Sequence, residues 1–331
     1  MNVDMKKNIA IIMGGYSSEY LISLKSGSMV YDSLPKTLYN AYCIHITKDK
    51  WVYVADDLKE YPVNKADFSV LVNETKINFD CVFNAIHGAP GEDGTMQAYF
   101  DLISIPHTSC NMYQAALTFN KRDCLSVLRP YGILMADSYF LNAGDPIDAL
   151  AIEKSVGLPC FVKANKAGSS FGVTKVYTKE DLPNAIQVAF KEDDELIIES
   201  FLDGTEVSVG VIRYKGKITV LPITEIVTEN DFFDYEAKYL GKSQEITPAR
   251  LSKTQEAAVR KVAKHIYEIL KLDGFSRSEF IFKDGQPHFI EVNTIPGLTK
   301  ESILPQQAAQ AGISMPDLFD NAIKEALQKI S

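Results

Sequence analysis

Ile9–Met13 is a continuous apolar run, the pattern of a strand covered on both faces. Gly14-Gly15 ends it, and Leu21, Leu24, Met29 and Leu34 then recur at helical spacing. Further strand-like runs occupy Ala41–Ile46, Trp51–Val54 and Cys81–Ile86. Strands therefore alternate with helices to about residue 115, which predicts an open α/β domain with parallel strands. In such sheets ligands gather beyond the carboxyl ends of the strands, where Gly14–Glu19 and His87–Gly94 fall. A helical stretch over Asn111–Leu128 begins a second region. It continues through apolar Pro159–Val162, a Gly/Ser loop at Ala167–Gly172, a strand at Val173–Tyr177, a helix near Lys179–Phe190 and a strand at Glu195–Phe201. Glu206–Val227 is β-rich and antiparallel in pattern. Ser252–Leu272 predicts a long amphipathic helix stopped by Gly274, followed by two strands around Lys283–Pro287 and a pair of helices.

Composition narrows this picture. The 331 residues exceed one compact core and predict two or three domains of roughly 100 residues each. A net charge of −9 excludes a broad nucleic-acid surface, which needs clustered Lys and Arg. Cys43, Cys81, Cys110, Cys124 and Cys160 are odd in number and form no CxxC pair, so neither a disulfide framework nor a zinc cage is expected and a reducing compartment fits. No run approaches 18 apolar residues, so no membrane partner is expected. Lys6-Lys7 before Ile9–Met13 imitates a short signal peptide, but the apolar run is too brief and lacks a small-residue cleavage site.

The most informative segment is Ser276-Arg277-Ser278-Glu279-Phe280, a turn at Asp284-Gly285, then Phe289-Ile290-Glu291-Val292-Asn293. It reads as a hairpin. A three-residue loop around Gly285 sets Lys283 opposite Pro287, Glu279 opposite Glu291 and Arg277 opposite Asn293, with the functional side chains on one face. A two-residue loop would break that register. Carboxylates placed opposite each other repel unless a cation lies between them. Two acids and an amide oxygen are hard ligands suited to Mg²⁺. The bland alternative is a hairpin with solvated charges; the apolar Phe280, Ile281, Ile290 and Val292 between the acids argue against it. Lys163-Ala164-Asn165-Lys166-Ala167-Gly168-Ser169-Ser170-Phe171-Gly172 suits an anion nest on a loop, and equally an ordinary Gly/Ser hairpin loop.

Together these segments resemble the D-alanine–D-alanine ligase family of the ATP-grasp fold. The matching pieces run in order through Gly14–Glu19, His87-Gly88 with Gly91–Gly94, Asn120-Lys121, Lys163, Gly168–Gly172 and Glu199 to Glu206. Asp234–Tyr239, Arg277 with Glu279, and Glu291–Thr299 through Ser302 complete them. The resemblance implies an α/β chain, α+β in its C-terminal half, with three domains. These are an open parallel α/β domain at 1–115, a central ATP-grasp subdomain at 116–203, and a C-terminal ATP-grasp domain at 204–331.

It further implies ATP-dependent ligation of two D-alanines through an acyl phosphate, for peptidoglycan precursors, by a cytoplasmic homodimer. Lys121, Lys163, Ser169 and Ser170 would meet the nucleotide phosphates, Glu199 and the Leu202 backbone the adenine, and Glu206 the ribose. Glu279, Glu291 and Asn293 would hold two Mg²⁺, with Mn²⁺ as an alternative. Glu19 would take the first ammonium, with His87 near the reacting carboxylate. Arg277, Gly297 and Lys238 would serve the transition states, while Ser302 and Ile303 hold the second amino acid. Ser169, Glu19 and Tyr239 would form a hydrogen-bonded closure. Without the family, His87 equally suits a core histidine, Glu19 a first-turn acid, Tyr239 a surface tyrosine and Ser169 a turn hydroxyl. Glu279 in place of the commoner Asp, Ala164 in place of Pro, and Ser200 and Leu21 depart from the family pattern. Rival readings are a ligase taking D-serine or D-lactate second, and a silent ATP-binding protein of the same fold.

Overall fold

Three sheets organise the computed structural model, which describes residues 6–168, 172–228 and 243–329. The first contains β1 (Lys7–Gly14), β2 (Tyr39–Ile46), β3 (Trp51–Val54), β4 (Glu60–Asn64), β5 (Ser69–Val72), β6 (Thr75–Ile77) and β7 (Cys81–Asn84), in the order β6-β5-β4-β3-β2-β1-β7. The apolar run of Ile9–Met13 is buried because β1 lies between β2 and β7 and is parallel to both. Parallel pairing stops there. From β2 outward every pairing is antiparallel, so four strands extend the parallel core as a meander. Three of those strands, β4 to β6, were not legible. They are short, β4 contains Pro62, and their connections pass through left-handed residues such as Leu58, Phe68 and Asn73 that carry no glycine signal.

Helices α1 (Tyr20–Ser33) and α2 (Thr95–Leu102) follow the carboxyl ends of β1 and β7. The predicted helix over Asn111–Leu128 is two helices, α3 (Met112–Phe119) and α4 (Lys121–Leu128). Asn120 separates them in an extended conformation, and its side chain accepts the Asp123 N–H as an N-cap. The second sheet comprises β8 (Ser138–Asn142), β9 (Cys160–Ala164), β10 (Thr174–Val176) and β11 (Glu195–Ser200), antiparallel in the order β10-β9-β11-β8. Helices α5 (Ala149–Val156) and α6 (Leu182–Ala189) supply a core of its own, around Ile152, Val162, Ile186 and Leu196.

The third sheet contains β12 (Thr205–Tyr214), β13 (Lys217–Val220), β14 (Thr224–Thr228), β15 (Ser243–Ile246), β16 (Phe275–Lys283) and β17 (Gln286–Asn293). Helix α7 (Lys253–Ile269), started by a capping box of Ser252 and Gln255, buries Val259, Ala263 and Ile266. Helices α8 (Ile303–Gln310) and α9 (Met315–Gln328) complete the described chain. Their Leu304, Phe319 and Ile323 join one apolar cluster with Ile9, Ile11 and Phe83 of the first sheet. First and third sheets thus share a core.

Candidate active site

The hairpin is reached by a route different from the one expected. Its turn has two residues, Asp284 and Gly285, both left-handed at φ of 51° and 74°, with Lys283 paired to Gln286. That loop alone would put Glu291 on the wrong face. A β-bulge between Glu279 and Phe280 absorbs the extra residue Ile290 and shifts the ladder by one. Beyond the bulge Glu279 faces Glu291 and Arg277 faces Asn293. Phe280, Phe289 and Val292 point into the core.

The polar face is stitched together by charge. Arg277 Nε donates to Glu279 Oε1 at 2.7 Å, and Ser208 Oγ donates to the same oxygen at 3.2 Å. Lys121 Nζ lies 3.4 Å from Glu291 and donates to the Ala167 carbonyl at 2.7 Å. Asn293 Oδ1 accepts the Ile295 N–H at 2.9 Å, which fixes the orientation of the amide. Among the described residues no three His, Cys, Asp or Glu side chains converge as a metal cage. Two carboxylates and one amide oxygen nevertheless fit a magnesium ion that brings its other ligands from phosphate and water.

A cavity of about 490 Å³ opens beside this face, between the second and third sheets. Its walls include Lys163, Glu199, Leu202, Glu206, Arg277 and Glu279. Lys163 Nζ pairs with Glu199 Oε2 at 2.7 Å. Burial works against the Lys163 ammonium, yet Glu199, Glu291 and Glu206 hold its pKa above the usual lysine value. Glu199 Oε1 is buried and has no hydrogen-bond partner among the described residues. A buried acceptor left unsatisfied is costly, so a donor is expected there.

A second cavity of about 410 Å³ shares Lys121, Arg277 and Glu291 with the first and runs on to Glu19, His87, Asn293, Gly297, Ser302 and Ile303. His87 is 3% exposed. Its Nδ1 lies 2.8 Å from the Ile295 carbonyl, which only accepts, so Nδ1 carries the proton. Ser26 Oγ then donates to Nε2 at 2.9 Å. Burial lowers the His87 pKa, the Glu19 carboxylate opposing it, which favours the neutral ring. Gly168 packs on Glu19 so closely that a Cβ there would lie 2.5 Å from Oε2. Gly297 has the same relation to Ser302, whose Oγ would meet a Cβ at 2.7 Å. Ser302 stands at the N-cap position of α8, and its Oγ accepts the Thr299 N–H at 3.1 Å rather than an N–H of the helix.

The described site residues thus converge on two adjoining cavities. Ser169, Ser170, Lys238 and Tyr239 lie outside the described residues. Glu92, in the wall of the smaller cavity, and Ser26, bonded to His87, are among the residues that sequence reasoning gave no role. Glu92 accepts the Gly88 N–H at 3.0 Å; burial and the Glu19 carboxylate push its pKa up to about 8. Its setting in Gly91–Gly94 was the only signal. Ser26, 61 residues from His87, gave none.

The model of the D-ala D-ala ligase C-terminus matches residues 127–324, and that of the N-terminus matches residues 8–110. The chain belongs to the D-alanine–D-alanine ligase family. A family member from Flavobacterium johnsoniae is 68% identical over 97% of this chain and 99% of its own length. One from Christiangramia forsetii is 62% identical over 98% and 100%. Among solved structures, the VanG D-Ala:D-Ser ligase of Enterococcus faecalis is 32% identical with a TM-score of 0.85, covering 97% of this chain and 100% of its own. The Bacillus anthracis D-alanine–D-alanine ligase complexed with ATP is 30% identical with a TM-score of 0.79, covering 98% of both chains. The fold is therefore the ATP-grasp fold of these ligases. No helix among the described residues is long and apolar enough to cross a membrane.

Proposed function

We propose that this chain joins two D-alanines into D-alanyl-D-alanine at the expense of ATP, supplying a peptidoglycan precursor. The observation that carries the reading is the facing pair Glu279 and Glu291, set by the bulge beside two lysines and an arginine. In the larger cavity the orphaned Glu199 Oε1 takes the adenine amine, Leu202 lies along the ring, and Glu206 takes the ribose. Lys163 and Lys121 meet the phosphates as point charges. Glu279, Glu291 and Asn293 would hold two magnesium ions, whose positive charge would offset that of the phosphoryl group. Lys121 and Arg277 hold those carboxylates in place beforehand.

In the smaller cavity Glu19 binds the ammonium of the first D-alanine, and neutral His87 sits beside its carboxylate. That carboxylate forms a bond to the γ-phosphorus as the bond to ADP breaks. The second amine then attacks the carbonyl carbon. Arg277 and the Gly297 N–H are donors for the oxyanion, and inorganic phosphate leaves. Ser302 and the start of α8 around Ile303 hold the second carboxylate. By family resemblance, Lys238 would add charge at the phosphoryl group, Ser169 and Ser170 would meet the nucleotide phosphates, Ser169 and Tyr239 would join Glu19 in closing the site, and the chain would pair as a homodimer through residues 1–115.

Domains at 1–115, 116–203 and 204–331 are supported by the sheets, each of which falls inside one range. A cytoplasmic setting is supported by five cysteines that form no disulfide. ADP release should be followed with Mg²⁺-ATP and, in turn, D-alanine, D-serine, D-lactate and the L-enantiomers. D-alanine is expected to release one ADP per dipeptide formed. No ADP release with D-alanine would defeat the reading.

A further inference from the structure

The second amino acid arrives as a zwitterion, yet Arg277 and the Gly297 N–H offer it only donors and positive charge, and Ser302 only a neutral hydroxyl. They suit its carboxylate and the oxyanion and leave its ammonium without a counter-charge, which is costly once that group is taken out of water. Glu245 stands where a match is needed. In the ladders Glu245 faces Ile226, Ile226 faces Glu206, and Glu206 faces Ile281. Strand alternation places Ile281, Glu279 and Arg277 on one side of β16, so Glu245 projects from the same side of the sheet.

Its half-buried side chain lines the smaller cavity together with Arg277 and Ser302. Gln306 Nε2, one turn into α8 from Ser302, donates to Glu245 Oε2 at a long 3.4 Å while donating to the Glu301 carbonyl at 2.6 Å. The carboxylate is therefore seated over the first turn of α8 and only weakly satisfied by it. Burial pushes its pKa above the usual carboxylate value, Arg277 pulls it back and Glu279 raises it again. Among the described residues the cation acting on it is Arg277, which also donates to Glu279, so the anion has room for more positive charge. A bound ammonium supplies it; the hydroxyl of a 2-hydroxy acid does not.

We propose that Glu245 receives the α-ammonium of the second amino acid, opposite Arg277 and Ser302, and so selects an amino acid over a 2-hydroxy acid at that position. This rests on the ligase reading above. The discrimination comes from β15 and is independent of the segment around Tyr239.

Glu245→Gln keeps the shape and removes the charge. Initial rates of dipeptide formation over a range of D-alanine concentrations give the first-site and second-site KM separately. D-lactate offered as a competing acceptor gives the ratio of dipeptide to depsipeptide. The variant is expected to raise the second-site KM tenfold or more, leave the first-site KM within twofold, and cut the product ratio tenfold or more. Glu245→Asp, which retains the charge, is expected to recover most of the ratio. An unchanged second-site KM and ratio in a Glu245→Gln protein that melts like the wild type overturns the proposal while leaving the ligase reading intact. If Glu245→Gln does not fold, the second-site KM of Glu245→Asp, whose carboxylate is one methylene shorter, decides: a rise of at least threefold with the first-site KM unchanged supports the proposal, and an unchanged second-site KM overturns it. A wild-type protein that makes no dipeptide overturns the ligase reading and the proposal with it.

Discussion

A carboxyl group removed from water beside another carboxyl holds its proton, and Glu92 does so between Gly88 and Glu19. Its folded pKa of about 8 stands above the ordinary 4.5. Between those values the folded state binds more protons than the unfolded state, so the group's contribution to stability falls as pH rises through this window. Glu92→Gln keeps an acceptor for the Gly88 N–H and removes the titration. Its melting temperature should gain on the wild type more at pH 8 than at pH 5; an equal difference at both would contradict the burial argument. His87 works in the opposite sense: its folded pKa is lowered, so the stability of its neutral form is lost as pH falls below about 6.5. Side chains of this kind were legible only where their partners were local. Glu279 and Glu291 could be paired on paper because a short turn joins them, whereas Ser26 with His87 and Glu245 with Arg277 are brought together by tertiary structure alone.

Among the elements, α4 shows how a break in periodicity serves the site. Asn111–Leu128 carries enough apolar spacing to read as one helix, and the sequence signal for the break is only an asparagine. Asn120 caps α4 and accepts a hydrogen bond from Asn165 Nδ2 at 2.8 Å. That anchors Lys121, the first residue of α4, against the Ala167 carbonyl. Replacing Asn120 by alanine should cost about 1 kcal/mol of stability from the cap. It should also raise the KM for ATP severalfold as Lys121 loses its footing. Thermal melting and ATP saturation curves check the two effects, and a stability loss without any change in KM would show that the cap does not position the lysine. The hairpin holds a related lesson. Its facing acids were foreseen, but through a three-residue loop. The two-residue turn and the compensating bulge at Ile290 reach the same pairing, because a bulge leaves little trace in sequence when the inserted residue is itself apolar.

At the scale of the molecule, the shared core of the first and third sheets decides where substrates can meet. Ile9 and Phe83 pack with Leu304 and Phe319, and Tyr39 donates to Asp320 at 2.8 Å. Glu19 and His87, on loops after β1 and β7, are thereby held against Gly297 and Ser302. The second sheet keeps a separate core and forms the far wall of the larger cavity through Lys163 and Glu199. The alternation of strands and helices indicated the parallel heart of the first sheet. The antiparallel meander beside it was hidden by short strands without a regular apolar alternation. The facing carboxylates of β16 and β17 are the point on which all three sheets bear. Dipeptide formation at saturating ATP, Mg²⁺ and D-alanine, compared between the wild type and Glu291→Gln, tests them most directly. A loss of at least a hundredfold in rate with an unchanged melting temperature is the predicted result; a folded variant that turns over at near the wild-type rate would contradict the account.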